Sequence, residues 1–186
     1  MPRFSRTELE AARSLVVPDL LPGPDDPPMR VLFCGINPGL VTAITGHHFG
    51  RPGNRFWPAL HGSGFTPRLF SPAEQGELRG LGLGITNVVA RTTARADELS
   101  DGELRAGGEH LRALVERTRP RWLAIAGVGA YRTAFARPKA AIGPQDEPLG
   151  ETRVWVLPNP SGLNAHWQLP AMIEEYARLR AAVSSR

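Results

Sequence analysis

Four apolar segments separated by helical patterns constrain the fold of this chain more than any other feature. The apolar segments, which are rich in β-branched residues, lie at 30–34, 84–89, 121–126 and 153–157. Short apolar runs of this kind are typical of strands that are buried on both faces. Helical patterns occupy 54–62, 72–81, 101–118, 128–135 and 169–183. The alternation predicts a single three-layer α/β domain, in which a short, mostly parallel central sheet is flanked by helices.

Residues 1–28 differ in character from the rest of the chain. The stretch ELEAARSLV is compatible with a short helix, and the stretch PDLLPGPDDPP that follows it is rich in proline. Proline cannot donate a backbone hydrogen bond, so we expect 1–28 to be an N-terminal extension and a linker that lies outside any core. The main domain is predicted over 29–186.

The composition excludes several classes of protein. The single cysteine, Cys34, excludes an internal disulfide and a four-cysteine cluster, and the five histidines lack metal-ligand spacing, so no metal is expected. No apolar run is long enough to span a membrane and the first residues lack a signal-peptide core, so we expect a cytoplasmic protein. The formal net charge of +4 and the pI near 10.2 are compatible with a polyanionic partner.

The loops after the four predicted strands read GINPGL, VVARTTARADELS, AGVGAY and LPNPSGLN. Ligand sites of open α/β sheets lie at the carboxyl ends of the strands, so these loops are expected to form the site. AGVGAY is the nearest approach to a dinucleotide-binding fingerprint, but it lacks the third glycine. The stretch PQDEP, about twenty residues further on, is predicted to be a turn instead of a strand end that carries an acid. An ordinary strand-to-helix turn is therefore favoured over a nucleotide-cofactor oxidoreductase.

The motifs GINPGL and NPSGLN carry a resemblance to a known family. From about Arg30 to the C-terminus, the chain resembles the mismatch-specific uracil/thymine-DNA glycosylases, the second family of the uracil-DNA glycosylase superfamily. The matching blocks, in order, are VLFCGINPGL, GHHFGRPGNRFW, GITNVVARTT, LRAGGEHLRAL and VWVLPNPSGLN. The resemblance implies a uracil-DNA glycosylase-like fold, no cofactor, and a monomer that acts on double-stranded DNA containing G·U or G·T mismatches.

The resemblance also implies a catalytic residue and a base pocket. Asn37 matches the residue that orients the attacking water, which an amide can do by accepting a hydrogen bond. Gly39 would offer backbone N–H groups to the base and leave room at the pyrimidine 5-position, which Thr42 would trim. Phe49 matches the aromatic residue on which the flipped base stacks. The implied pocket comprises Ile36, Gly39, Thr42, Phe49 and Asn159.

The second motif implies contacts to the DNA strand. Leu163 matches the apolar wedge that enters the gap left by the flipped nucleotide. Ser161 suits a phosphate contact, and the backbones of Gly162 and Asn164 would read the widowed guanine. In this chain Asn164 is followed by Ala165, where some relatives have a small polar residue followed by an arginine, so the usual arginine plug is not expected and its replacement stays open.

Asp97 departs from the family pattern, in which this position is often uncharged. The amide of Asn37 can orient a water but can hardly take its proton, whereas a carboxylate can do so and can stabilise a cationic sugar. Asp97 follows a predicted strand and is therefore predicted to be a second catalytic residue. The alternative is an exposed loop acid near the helix cap at Ser100.

The resulting hypothesis is a monofunctional DNA glycosylase that excises uracil opposite guanine, with thymine and modified pyrimidines as further candidate substrates. A competing class is a DNA mismatch-binding module that has kept the wedge and lost the chemistry. The presence of Asn37 argues for the enzyme. The third class, an oxidoreductase, would bind NAD or flavin, which an absorbance spectrum detects.

Overall fold

The carboxyl ends of four strands lie along one edge of a central sheet. Residues 4–185, which the computed structural model describes, contain five strands in the spatial order β2-β1-β3-β5-β4. The strands are β1 (Val31–Gly35), β2 (Leu83–Asn87), β3 (Trp122–Ala126), β4 (Gly143–Leu149) and β5 (Thr152–Leu157). β1 is parallel to β2 and β3, and β3 is parallel to β5. The prediction of an α/β domain with a mostly parallel sheet is confirmed.

Helices cover both faces of this sheet. The described residues form α1 (Arg6–Ala11), α2 (Leu40–Thr45), α3 (Phe56–Gly62), α4 (Asp101–Thr118), α5 (Val128–Ala134) and α6 (Leu169–Ser184). α3 and α6 pack on one face, and α4 and α5 pack on the other. Helix α4 has the predicted bounds, because Ser100 and Glu103 form a capping box at its start. Within residues 4–185, no helix combines the length and apolar character needed to cross a membrane.

The side chains of β1 alternate between two apolar clusters. Phe33 lies on the face of α3 and α6, where its ring contacts Phe56 edge-on and stacks on Tyr176. Leu32 and Cys34 face the opposite cluster, which α4 and α5 complete. Because β1 is buried on both faces, its sequence is a continuous apolar run and does not alternate with polar residues.

Strand β4 was not expected. The stretch PQDEP was predicted to be a turn, but it lies inside Gly143–Leu149, which pairs antiparallel with β5 through an irregular register. This prediction is wrong because β4 is an edge strand. Proline and charged residues are tolerated at a sheet edge, where one side of the strand makes no ladder hydrogen bonds.

Two predicted helices differ from those observed, and one helix was missed. The pattern over 54–62 becomes helix only from Phe56, and Asn54 Oδ1, in the turn just before the helix, accepts a hydrogen bond from the Phe56 N–H at 2.9 Å. The segment 72–81 is a 3₁₀ helix. The six-residue α2, directly after GINPG, is too short to show a helical period.

The N-terminal segment is part of the packed structure. Leu20 is 5% exposed and pairs antiparallel with Ile85, which lies in the outer strand β2, while Ala12 and Val17 pack against Ala43 of α2. The expectation that this stretch lies outside any core is therefore wrong for Ala12, Val17 and Leu20, which are buried. A short extended segment can pair with an edge strand through the backbone groups of a single residue. Here the N–H of Leu20 donates to the carbonyl oxygen of Ile85, and the carbonyl oxygen of Leu20 accepts from the N–H of Ile85.

Two glycines let α4 approach its neighbours closely. A Cβ at Gly108 would lie 2.3 Å from the carbonyl oxygen of Ala134, and a Cβ at Gly107 would lie 2.2 Å from that of Val88. Both neighbours are backbone atoms, which cannot rotate away as a side chain can. Any larger residue at these positions must therefore push the helix outward.

We expect Gly108→Ala to lower the free energy of unfolding by about 1–3 kcal/mol, because overpacking displaces the helix. The matched control is Gly102→Ala in the same helix, where the nearest atom to an added Cβ is Ser100 Oγ at 3.8 Å. That variant should be neutral or more stable by up to about 1 kcal/mol. Urea denaturation measures both, and equal effects would contradict the backbone packing described.

Candidate functional site

A cleft of about 410 Å³ opens at the carboxyl ends of β1, β2, β3 and β5. Its walls are the loops that follow β1, β2 and β5, together with the segment that precedes α3. Of the residues predicted from the sequence, it brings together Ile36, Asn37, Gly39, Thr42, Phe49, Asp97, Asn159, Ser161, Leu163 and Asn164. Gly162 does not contribute to this lining. The parallel sheet explains the convergence, while the individual roles of these residues stay predictions.

The side-chain amide of Asn37 is held in a fixed orientation. Its Nδ2 donates to the carbonyl oxygen of Arg91 at 2.8 Å and to Thr93 Oγ1 at 2.7 Å. A carbonyl oxygen can only accept, so the nitrogen must face Arg91 and Oδ1 must face away from it. No residue among 4–185 donates a hydrogen bond to this oxygen. Asn37 therefore presents a free acceptor in the cleft.

Thr93 supports Asn37 from the neighbouring loop. It is 1% exposed, and its hydroxyl donates to the carbonyl oxygen of Arg95 at 2.7 Å while accepting from Asn37. The backbone N–H of Thr93 donates to the carbonyl oxygen of Pro38 at 3.1 Å, and Gly39 forms a parallel bridge with Thr93. The loops after β1 and β2 are thus joined directly beside the predicted catalytic amide.

Phe49 has a strained backbone. Its φ is 53°, in the left-handed region that a bulky residue rarely adopts, and such a conformation costs of order 1–3 kcal/mol. Its ring stacks on Phe56 with 4.0 Å between centroids and 19° between planes, and it lines the cleft. Packing against the core thus holds Phe49 in the strained position. Strain of this kind clusters at functional sites, which supports a role for the ring in the cleft.

The cleft is open beside Gly39 and closed beside Ile36. A Cβ added at Gly39 would meet no atom within 4 Å, whereas Thr42 is 5% exposed and its Oγ1 accepts a hydrogen bond from Gly50 at 3.3 Å. A Cβ added at Gly127 would lie 3.0 Å from Ile36 Cδ1. The Ile36 side chain therefore packs against Gly127 of the AGVGAY turn, which favours the interpretation of that turn as a simple connection.

Residues 159–167, here called the Leu163 loop, form a tight turn bonded within itself. Asn159 Oδ1 accepts from the N–H of Ser161 at 3.0 Å, and Asn164 Nδ2 donates to the carbonyl oxygen of Asn159 at 2.9 Å. The N–H of Leu163 donates to Ser161 Oγ at 3.3 Å. These bonds turn the Leu163 side chain outward, where it is 66% exposed at the rim of the cleft.

Asp97 lies in the cleft lining, within a short 3₁₀ turn over Ala96–Glu98. Its carboxylate accepts two hydrogen bonds from Arg95, from Nε at 3.1 Å and from a terminal nitrogen at 2.5 Å. The side chains of both residues are more than 60% exposed. An ion pair this exposed contributes little to stability, so competing groups can separate it.

Several residues of the cleft were not identified from the sequence as site residues. Asn87 ends β2, and its Oδ1 lies 2.5 Å from the position of a Cβ added at Gly35, beside the ring of Phe49. Arg51 lies exposed in the lining. The signal for Asn87 was present, because a polar residue at the end of a buried strand falls at the carboxyl edge of the sheet.

The chemistry of the cleft is that of amides, hydroxyls and arginines. Among the residues that the structure describes, no three His, Cys, Asp or Glu side chains are grouped to hold a metal ion.

His48 is 2% exposed, and its Nε2 lies 3.0 Å from the carbonyl oxygen of Pro18, to which the neutral ring can donate. Burial lowers the pKa of His48 below its ordinary value.

This burial predicts a pH dependence of stability. Because the folded state disfavours protonated His48, the unfolded chain binds the proton more readily. The stabilisation that comes from neutral His48 is complete above the ordinary histidine pKa of about 6.5. It is lost as the pH falls from there through the lowered pKa of His48 in the folded state. We expect His48→Gln to reduce the loss of unfolding free energy between pH 7 and pH 5, as measured by urea denaturation. The exposed His110→Gln should keep the wild-type slope, and equal slopes in all three proteins would contradict the prediction.

Comparison with known families agrees with this geometry. A family model described as the uracil DNA glycosylase superfamily matches residues 22–180. The match spans all five strands and both loops that carry the asparagine–proline motifs. The chain therefore belongs to the uracil DNA glycosylase superfamily, whose members are DNA glycosylases, hydrolases that cleave the bond between a base and its sugar.

Proposed function

We propose that this protein is a mismatch-specific DNA glycosylase that flips uracil out of duplex DNA and hydrolyses its N-glycosidic bond opposite guanine. Thymine and other modified pyrimidines are further substrates in this proposal. The observation that carries it is the fixed amide of Asn37, whose Oδ1 accepts no hydrogen bond from residues 4–185, in a cleft with Leu163 at its rim. This combination supplies a water-orienting acceptor and an apolar side chain for the vacated stack.

The proposed reaction breaks the bond between N1 of the base and C1′ of the sugar. The base leaves as an anion, the sugar passes through an oxocarbenium-like state, and the oxygen of water bonds to C1′. One proton of this water passes to the carboxylate of Asp97 or to solvent water, and the departing base anion takes up a proton from solvent. Asn37 Oδ1 accepts a hydrogen bond from the water, and backbone N–H groups around Gly39 stabilise charge on the base carbonyls.

The proposed base pocket lies between Phe49 and the amides of the cleft. The ring of Phe49 provides a stacking surface, and the amide of Asn87 can both donate to and accept from a pyrimidine edge. Open space beside Gly39 admits a substituent at the pyrimidine 5-position, and Thr42 limits it. Asn159 also lines the cleft, and in this proposal it lies near the sugar. This arrangement supports pyrimidines larger than uracil as substrates.

Double-stranded DNA is the proposed partner, bound by a monomer. Leu163 is the proposed wedge, Ser161 a phosphate contact, and the backbones of Gly162 and Asn164 the contacts to the widowed guanine. The excess positive charge supports this partner, because arginine side chains neutralise phosphates. Arg51, exposed in the cleft lining, is available for such a contact.

A mismatch-binding module without catalysis is the second candidate, and Asn37→Ala distinguishes the two. In single-turnover assays on G·U, A·U and G·T duplexes, the wild type should release uracil from G·U fastest. Asn37→Ala should be about 10²–10³-fold slower, as for loss of one preorganised polar group. Binding to an abasic duplex should be unchanged and serves as the control for folding. Wild-type binding without base release would favour the module, and a near-normal variant rate would exclude Asn37 from catalysis.

We also propose that Asp97 takes part in the reaction, once a DNA phosphate has drawn Arg95 away from it. The freed carboxylate would accept the proton of the water or stabilise the cationic sugar. Asp97→Asn should slow base release by about 10²-fold and remove the acid limb of the pH–rate profile. Asp101→Asn, an exposed acid at the start of α4, is the matched control and should keep both. An unchanged rate and profile in Asp97→Asn would make Asp97 a structural loop acid.

A further inference from the structure

We propose that Arg55 is a positioning residue that holds the Leu163 loop in the position from which Leu163 inserts into DNA. This inference rests on the proposed function, because it concerns the insertion of Leu163. Arg55 precedes α3, and its terminal guanidinium nitrogens donate to three backbone carbonyl oxygens of the Leu163 loop. The acceptors are Asn164 at 3.0 Å, Gly162 at 3.2 Å and Trp167. They lie on both sides of Leu163 in the chain.

The backbone at and just before Arg55 also contacts the Leu163 loop. The N–H of Arg55 donates to the carbonyl oxygen of Pro160 at 2.8 Å. A Cβ at Gly162 would lie 2.8 Å from the carbonyl oxygen of Gly53, so the two chain segments are in close contact. The hydrogen bonds within the Leu163 loop shape the turn, whereas these contacts attach it to the body of the protein.

Only arginine can make this set of contacts. Its planar guanidinium presents donors in several fixed directions, so one side chain can satisfy three carbonyl groups at once. A lysine ammonium is a compact charge with no such fork. Because both terminal nitrogens already donate to carbonyl groups, Arg55 is not placed to enter the DNA itself. It acts through Leu163.

The same turn of chain also supports the base pocket. Phe56, the next residue, is fully buried and carries the ring on which Phe49 stacks. Arg55 and Phe56 thus hold two parts of the site that are more than 100 residues apart in the chain, the Leu163 loop and the stacking ring. The spacing between wedge and pocket is therefore set at the start of α3.

The test is a double-mutant cycle between Arg55→Ala and Leu163→Ala. Base release is measured in single turnover for uracil opposite adenine, opposite guanine and opposite an abasic site. Arg55→Ala should slow release opposite adenine by about 10-fold or more, since the unstacking that Leu163 offsets costs a few kcal/mol. The loss should be smaller opposite guanine and smallest opposite the abasic site. In the Leu163→Ala background, Arg55→Ala should add little.

Two further variants separate positioning from charge and from folding. Gly162→Ala should displace the loop from Gly53 while the arginine at position 55 is kept, and should give the same ranking of substrates. Arg79→Ala removes one exposed positive charge just before β2 begins, at the end of the sheet away from the cleft, and should leave all rates unchanged. Arg55→Lys should recover only part of the loss. Multiplicative effects in the double mutant, or equal losses on all three duplexes, would overturn the proposal.

A fluorescence measurement tests the inference independently of catalysis. 2-Aminopurine placed beside the uracil reports unstacking when the wedge enters, whether or not the base is then released. Wild-type protein should raise this fluorescence, and Arg55→Ala should raise it much less at saturating protein. A full signal in Arg55→Ala would overturn the role of Arg55. A wild-type signal that is reduced in Arg55→Ala, with no base release by either protein, would instead contradict the proposed catalysis and support the role of Arg55.

Discussion

The pairing of β1 between β2 and β3 is the constraint on which the rest of the structure depends. All three strands are parallel, so Gly35, Asn87 and Ala126 end at the same edge of the sheet. Each loop of the cleft begins within a few residues of that edge. The polar residues of the cleft therefore need no long insertions to meet, and the buried strands fix their starting points. The site is a direct consequence of strand direction.

The sequence predicted those parts of the fold whose signal is local. The central strands are apolar on both faces, and α4 carries its own cap at Ser100, so both were recognisable without knowledge of their neighbours. Strand β4 is polar and contains two prolines, and it is a strand only because β5 lies beside it. The burial of Leu20 likewise depends on the free edge of β2. Tertiary partners determine such elements, and local patterns do not report them.

The sequence identified three of the loops that form the cleft, while AGVGAY contributes only Ala126, and it did not show how those loops are held. The amide of Asn37 is oriented by Arg91 and Thr93, more than fifty residues away in the chain. The left-handed backbone of Phe49 has no signature in its sequence, since it is imposed by packing on Phe56. The contacts of Arg55 go to backbone carbonyls, which any sequence possesses. Support of this kind is invisible to pattern analysis because it depends on the folded path of the chain.

Two features of the cleft are unfavourable for the isolated protein. An exposed leucine forgoes the roughly 1.5–3 kcal/mol that burial would contribute, and the strained Phe49 costs about as much again. Both Leu163 and Phe49 are held by the same short segment, Arg55 and Phe56, which is anchored in the core. A protein whose stability is only 5–15 kcal/mol bears such costs where a partner offsets them on binding. In the proposed complex with DNA, neighbouring bases would bury the Leu163 side chain between them and the flipped base would stack on the ring of Phe49, so that binding offsets both costs.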